Sequence, residues 1–194
     1  MYALKNLVHT ELLDLKGNPL SITFVYGQPD YSKREEVWQQ LKNLKSLAKP
    51  NWLCIGDFNQ ILTRKEKFSF TQDTIVGSKL FQHVIDKFQF CDLEATRQWF
   101  TWMNNRSEND FVMERLDRAF ASVEWINSYP HYALRNHHIY HFDHGPISSE
   151  ILNSNILLER DHLDLNVCGS AILIARTWYK KHGVYIQLDQ GLLN

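Results

Sequence analysis

The chain has 194 residues, 44% of them hydrophobic, 13% aromatic and 22% charged, the composition of a globular protein with enough apolar mass for a real core. Its formal net charge of −1 gives no electrostatic case for nucleic acid, because a strong phosphate-binding footprint is usually basic. The cysteines Cys54, Cys91 and Cys168 are odd in number and far apart, which argues against a disulfide framework; residues 1–10 lack the apolar core of a signal peptide, and no stretch approaches a membrane span, so an intracellular, reducing setting is expected.

Residues 8–15 and 20–26 read as two strands joined by Lys16-Gly17-Asn18-Pro19, whose turn chemistry makes the pair a β-hairpin. Ser32-Lys33-Arg34-Glu35 has capping-box spacing, and Val37, Leu41, Leu44 and Ala48 then recur at helical spacing, with Trp38 beside them and Pro50 ending the helix. Trp52-Leu53-Cys54-Ile55 is a short apolar run without polar alternation, which predicts a strand buried on both faces. Gly56 ends it. Asp57 and Asn59 follow two positions apart and so leave the strand end pointing the same way, a common place for an α/β protein to keep its chemistry. The alternative is a plain Asp/Asn turn.

A second amphipathic helix is predicted over residues 77–90, with Leu80, Phe81, Val84, Ile85 and Phe88 on one face. Phe100-Thr101-Trp102 reads as a short strand or bend, and Asn104-Asn105-Arg106 as a polar turn. Residues 115–121 read as a strand that buries Asp117 between Leu116 and Phe120, so its carboxylate needs a partner. Residues 131–140 form a further predicted strand, leading to Asp143-His144-Gly145-Pro146-Ile147. From about Asn153 the pattern changes: residues 159–164 are charged, and Ile172, Ala175 and Tyr179 fall at helical spacing, a helix over 171–181.

Three places could carry chemistry: Asp57 with Asn59, Asp117, and Asp143 with His144. A histidine among carboxylates suits proton transfer or charge stabilisation, and the carboxylates suit a hard cation such as Mg²⁺; the alternative is unrelated turn and surface residues. His137, His138, His141 and His144 also cluster, but their spacing fits no standard zinc pattern and no cysteine lies close, so polar residues flanking a strand are the simpler reading.

Ile22-Thr23-Phe24-Val25-Tyr26-Gly27, Trp52 through Asn59, Phe100-Thr101-Trp102, Glu114-Arg115-Leu116-Asp117-Arg118-Ala119 and Asp143-His144-Gly145-Pro146-Ile147 occur in this order. Together, over residues 8–152, they resemble the endonuclease/exonuclease/phosphatase superfamily, in the branch carried by LINE-type (non-LTR) retrotransposons, particularly plant ones. The resemblance implies an α/β fold, the DNase I-like four-layer sandwich of two β-sheets face to face with helices outside. It implies Mg²⁺-dependent hydrolysis of a phosphodiester, with DNA as partner, nicked in the nucleus to prime reverse transcription. By motif, Tyr26 and Asn59 would bind the phosphate and Asp57 would orient or deprotonate the attacking water. Asp117 would orient the imidazole of His144, which stabilises charge on the phosphoryl oxygens, and Asp143 would belong to the metal shell.

The chain departs from that pattern in several places. The family's N-terminal stretch, with an Asn and a metal-binding Glu, has no counterpart before the hairpin; Phe142 stands where Ser is usual, and Phe68 and Ser69 where a glycine pair is common. Residues 153–194 do not resemble the reverse-transcriptase region. The expectation is a partial sandwich lacking its N-terminal half over residues 1–152, and an unrelated tail over 153–194 that packs independently of the sheet. Such a protein would be an inactive endonuclease remnant. The alternatives are an active phosphodiesterase whose metal site is rebuilt from Asp143 with Glu66 or Glu114, and a non-catalytic interaction module; no protein partner is identifiable from the sequence and no membrane association is expected.

Overall fold

The computed structural model describes residues 1–14, 16–71, 74–139, 143–151 and 184–186. In chain order the strands are β1 (Tyr2–Ala3), β2 (Leu7–Leu13), β3 (Pro19–Tyr26), β4 (Trp52–Asp57), β5 (Lys67–Ser69), β6 (Cys91–Asp92) and β7 (Thr96–Arg97). They continue with β8 (Trp102–Met103), β9 (Val112–Glu114), β10 (Asp117–Ala121), β11 (Tyr132–Asn136), β12 (Ile147–Ile151) and β13 (Val184–Ile186). The α-helices are α1 (Arg34–Leu44), α2 (Ser78–Phe88) and α3 (Val123–Ser128).

A six-stranded sheet runs β1-β2-β3-β4-β10-β6, a four-stranded sheet runs β13-β12-β11-β7, and β5-β9-β8 make a small third sheet. The β2–β3 hairpin is as expected, and α1 then carries the chain across so that β4 lies parallel to β3, with Tyr26 level with Asp57. Alternation along these strands divides the core. Leu7, Val25, Trp52, Cys54, Phe58 and Phe120 pack on Trp38 and Leu41 of α1 and on Phe81 and Val84 of α2. On the other face Ile22, Phe24, Leu53, Ile55 and Ala119 pack against Leu134 and Ile147 of the four-stranded sheet. Helices, six-stranded sheet and four-stranded sheet are thus three layers of a DNase I-like α/β sandwich.

Ser122 joins these layers. Its hydroxyl accepts from the amides of Trp52 (3.1 Å) and Trp125 (3.2 Å), the second capping α3, and donates to the Pro50 carbonyl at 2.6 Å. Ser122→Ala is expected to cost about 1–2 kcal/mol, read as a lower urea midpoint at unchanged m-value.

Local features differ from expectation for identifiable reasons. The capping box at residues 32–35 is not formed, because the Asp30 carboxylate takes both the Ser32 amide (3.0 Å) and the Ser32 hydroxyl (2.7 Å) and starts a 3-10 turn that runs into α1. A carboxylate is the stronger acceptor. Helix α1 stops at Leu44, well before Pro50. In α2 the buried stripe is Phe81, Val84, Ile85 and Phe88, while Leu80, about a quarter-turn round the helix from the centre of that stripe, is 39% exposed. Among the described residues the strand predicted over 131–140 runs over Tyr132–Asn136, and the one over 115–121 begins at Asp117.

The tail is not wholly independent of the sheet. Val184–Ile186, β-branched and aromatic, pair in parallel with Ile147, Ser148 and Ser149 along the free edge of β12. The helix predicted over 171–181 lies outside the described residues. Among the described residues no helix is long and apolar enough to cross a membrane.

Candidate active site

The site forms where the carboxyl ends of β3 and β4 meet the start of β10. Asp57 is the last residue of β4 and Asp117 the first of β10, and antiparallel pairing sets them directly opposite one another, each 1% exposed. Two like charges opposed in a buried ladder repel, so the arrangement needs a cation or a proton. His144 supplies it. Its Nδ1 lies 2.9 Å from Asp117 Oδ2 and its Nε2 3.9 Å from Asp57 Oδ2.

The electrostatics follow. Burial, then the negative charge of Asp117, pushes the Asp57 carboxyl up to about 7. Burial alone would lower His144, but the hydrogen bond and charge of Asp117, with Asp57 and Asp143 adding to them, raise it to about 9. At neutral pH the imidazole therefore keeps its proton against Asp117, while the facing Asp57 carboxyl is only partly ionised. Burial, then the charges of Asp57 and Asp143, raises the half-buried Tyr26 phenol, which keeps its proton.

Asp57 and Asn59 meet through a turn, not through strand periodicity. Asn59 adopts φ 50°, and the Asp57 carboxylate accepts both its backbone amide (2.7 Å) and its side-chain Nδ2 (2.6 Å). Nδ2 also donates to the Gly27 carbonyl at 2.9 Å. The turn reading of this stretch therefore holds, and the turn is what brings Asp57 and Asn59 together. Gly27 has to be glycine here, since a Cβ would lie 2.1 Å from the Phe58 carbonyl oxygen.

Other residues that hold the surrounding loops gave little signal in the sequence. Arg34, on the first turn of α1, stitches together the loops that follow β3 and β4. It donates to the carbonyls of Gln28 (2.9 Å) and Pro29 (3.0 Å) and to Gln60 Oε1 (2.7 Å). Arg118, fully buried in β10, and Arg115 are paired to Glu66 and Asp92. An arginine among the buried residues of that strand was the available signal for the network. Glu66 is therefore committed to two guanidinium groups, and Glu114 to Lys67 at 3.1 Å, so neither completes a metal site.

Among the described residues the metal-ligand side chains that converge are Asp57, Asp117 and His144, within 4.8 Å of one another. This trio does not fit Mg²⁺, which takes oxygen ligands and disfavours a protonated imidazole beside it. Among the described residues the histidines make no zinc site: His137 faces the Ser148 hydroxyl at 2.8 Å and His138 faces Gln98 at 3.1 Å, while His141 lies outside the described residues. Asp143 is exposed, accepts from Trp102 Nε1 at 3.3 Å and lines an open cavity of about 730 Å³ with Lys67, Trp102, Arg106 and Glu114. One carboxylate with open water around it fits a hydrated Mg²⁺.

The two packed sheets, the outer helix layer and the polar residues gathered at the strand ends make a DNase I-like fold. The chain is similar to the endonuclease domain of TRAS1, a telomere-specific non-LTR retrotransposon (TM-score 0.56, 15% identity, 72% of this chain and 60% of that one). It is also similar to the 3'-5' exonuclease NExo from Neisseria meningitidis (TM-score 0.51, 15% identity, 66% and 59% coverage). A structure of NExo described as a 3' phosphatase, bound to a product DNA hairpin, matches with TM-score 0.50 at 15% identity, covering 66% of this chain and 59% of that one. The chain thus spans about 60% of the length of these proteins, and at such identity the likeness is one of fold. No protein-family model and no curated protein matches the sequence.

Proposed function

We propose that the site is built to hydrolyse phosphodiester bonds in DNA, as part of a retrotransposon endonuclease that nicks DNA to prime reverse transcription in the nucleus. The observation that carries this reading is the His144 ring, fixed by Asp117 at one nitrogen and facing Asp57 with the other. In-line displacement at phosphorus needs a positioned water and compensation of charge on the phosphoryl oxygens. Asp57, ionised above about 7, orients the water and takes its proton. His144 keeps its proton up to about 9 and presents Nε2–H to the phosphoryl oxygens, while Asp117 fixes the ring. Tyr26 contributes its phenol hydrogen to the phosphate. Asn59 keeps Asp57 aimed, and its contact with phosphate requires its amide to leave the Gly27 carbonyl. Mg²⁺, held by Asp143 and water, would supply charge neutralisation when bound.

Turnover by the chain as given is expected to stay near background. Among the described residues Asp143 is the carboxylate left to hold the cation, and Glu66 and Glu114 are engaged elsewhere. The test is nicking of supercoiled plasmid with Mg²⁺ or Mn²⁺, with His144→Ala as control. No nicking above background is the expected result. Nicking by the wild type that disappears in His144→Ala would overturn the low-turnover reading and leave an active phosphodiesterase. Nicking that survives in the variant would remove His144 from the mechanism.

A further inference from the structure

Phe100-Thr101-Trp102 is the motif to which the hydrolytic reading assigns no role, and its central residue lies between the two halves of the catalytic pair. Thr101 is 1% exposed. Its hydroxyl oxygen accepts from the amides of Leu116 (3.0 Å) and Asp117 (2.9 Å). Its own amide donates to the Glu114 carbonyl at 3.0 Å, and its carbonyl accepts from the Gly145 amide at 2.8 Å. One residue thus touches the chain immediately before Asp117, Asp117 itself, and the residue after His144.

The need for this contact comes from topology. Strand β9 belongs to the small third sheet and β10 to the six-stranded sheet, so the chain changes sheets at Arg115 and Leu116. In that crossing the amides of Leu116 and Asp117 turn to the Thr101 oxygen instead of a strand ladder, and a buried amide left without an acceptor is costly. On the other side, the backbone bridge between Trp102 and His144 and the bond from the Met103 amide to the Asp143 carbonyl (2.9 Å) hold the histidine segment to the same short strand.

We propose that Thr101 is a positioning residue that sets the Asp117 carboxylate against His144 Nδ1, an inference that rests on the hydrolytic reading of the site for its purpose but not for its test. The two lone pairs of one hydroxyl fix the backbone from which the Asp117 side chain leaves, and the Thr101 carbonyl fixes the loop from which His144 leaves. Valine has the same shape without the acceptor, so Thr101→Val removes the clamp and leaves the volume. Serine keeps the oxygen.

The experiment is proton NMR on the full chain, without substrate. The readouts are the downfield His144 Nδ1–H resonance expected of a charge-assisted hydrogen bond to Asp117, and hydrogen exchange at the amides of Leu116 and Asp117. In Thr101→Val the resonance should disappear and both amides should exchange ~10-fold faster or more. In Thr101→Ser both readouts should match the wild type. A folded Thr101→Val chain that keeps the resonance overturns the proposal, because a merely structural threonine lowers stability without releasing His144. Should the valine variant not fold, Thr101→Ser decides: retention of the resonance upholds the clamp and its loss overturns it. Whether the wild type nicks DNA has no bearing on these readouts, which need no substrate.

Discussion

Glu66→Ala is expected to lower the unfolding free energy by about 3–5 kcal/mol, the cost of leaving buried charge without its partner. Glu66 is 4% exposed, Arg115 5% and Arg118 0%. Oε2 of Glu66 accepts from Arg118 Nη2 at 2.8 Å, and Oε1 accepts from Arg118 Nη1 at 3.1 Å and Arg115 Nη1 at 3.2 Å. Asp92 remains as a partner, bidentate to Arg115 at 2.7 and 2.9 Å, but it reaches Arg118 with one oxygen at 3.2 Å. The loss should therefore fall chiefly on Arg118, which has no route to water. Burial alone would raise the Glu66 carboxyl; the hydrogen bond and charge of Arg118 outweigh it and hold the group below the usual carboxylate range. A depressed folded value means that this stability is present above the unfolded value of 4.5 and is lost as pH falls through the folded one. Urea midpoints measured across that acid range check both statements. A loss under about 1 kcal/mol, the range of exposed pairs, would show that the network is solvated.

In Asp117→Asn the imidazole of His144 should titrate near its ordinary 6.5 or below, instead of about 9. Burial lowers His144, and the hydrogen bond and charge of Asp117 are the largest influences raising it, so removing that charge leaves burial dominant. The interval between 6.5 and 9 corresponds to on the order of 3 kcal/mol. Because the folded value is raised, that stability is fully present below 6.5 and disappears as pH rises through 9. Asp57, raised to about 7 from 3.8, adds a second loss with rising pH across its own interval, and the loss of the Asp117 charge should bring it down as well. NMR titration of the His144 ring protons in wild type and variant is the measurement. A histidine that still titrates near 9 in Asp117→Asn would mean that the charge holding the proton lies elsewhere.

The elements of this fold were legible where their cause is local. Trp52-Leu53-Cys54-Ile55 has no polar alternation and becomes the buried centre of the large sheet. Phe81, Val84, Ile85 and Phe88 repeat with helical period and become the buried stripe of α2. The β2–β3 hairpin followed from its turn residues. Misreadings arose where two local signals competed, as when the Asp30 carboxylate displaced the Ser32 hydroxyl as the cap of the turn before α1.

The sequence by itself determined which side chains come together, through motifs in order: Asp57, Asn59, Asp117 and His144 converge as that order implied. Only the tertiary structure decided what each is bonded to. The register of β4 against β10 opposed Asp57 to Asp117, and the pairing of His144 with Asp117 spans 27 residues of chain. Glu66, read as a candidate metal ligand, was captured by Arg118 52 residues away, and Thr101 and Arg34 gained their roles from loops that no periodicity reaches. Periodicity, capping and turn propensity act between neighbours in sequence. The pairing of buried charges and amides is fixed by desolvation, which forces each such group onto whichever partner the packed sheets bring within hydrogen-bond distance.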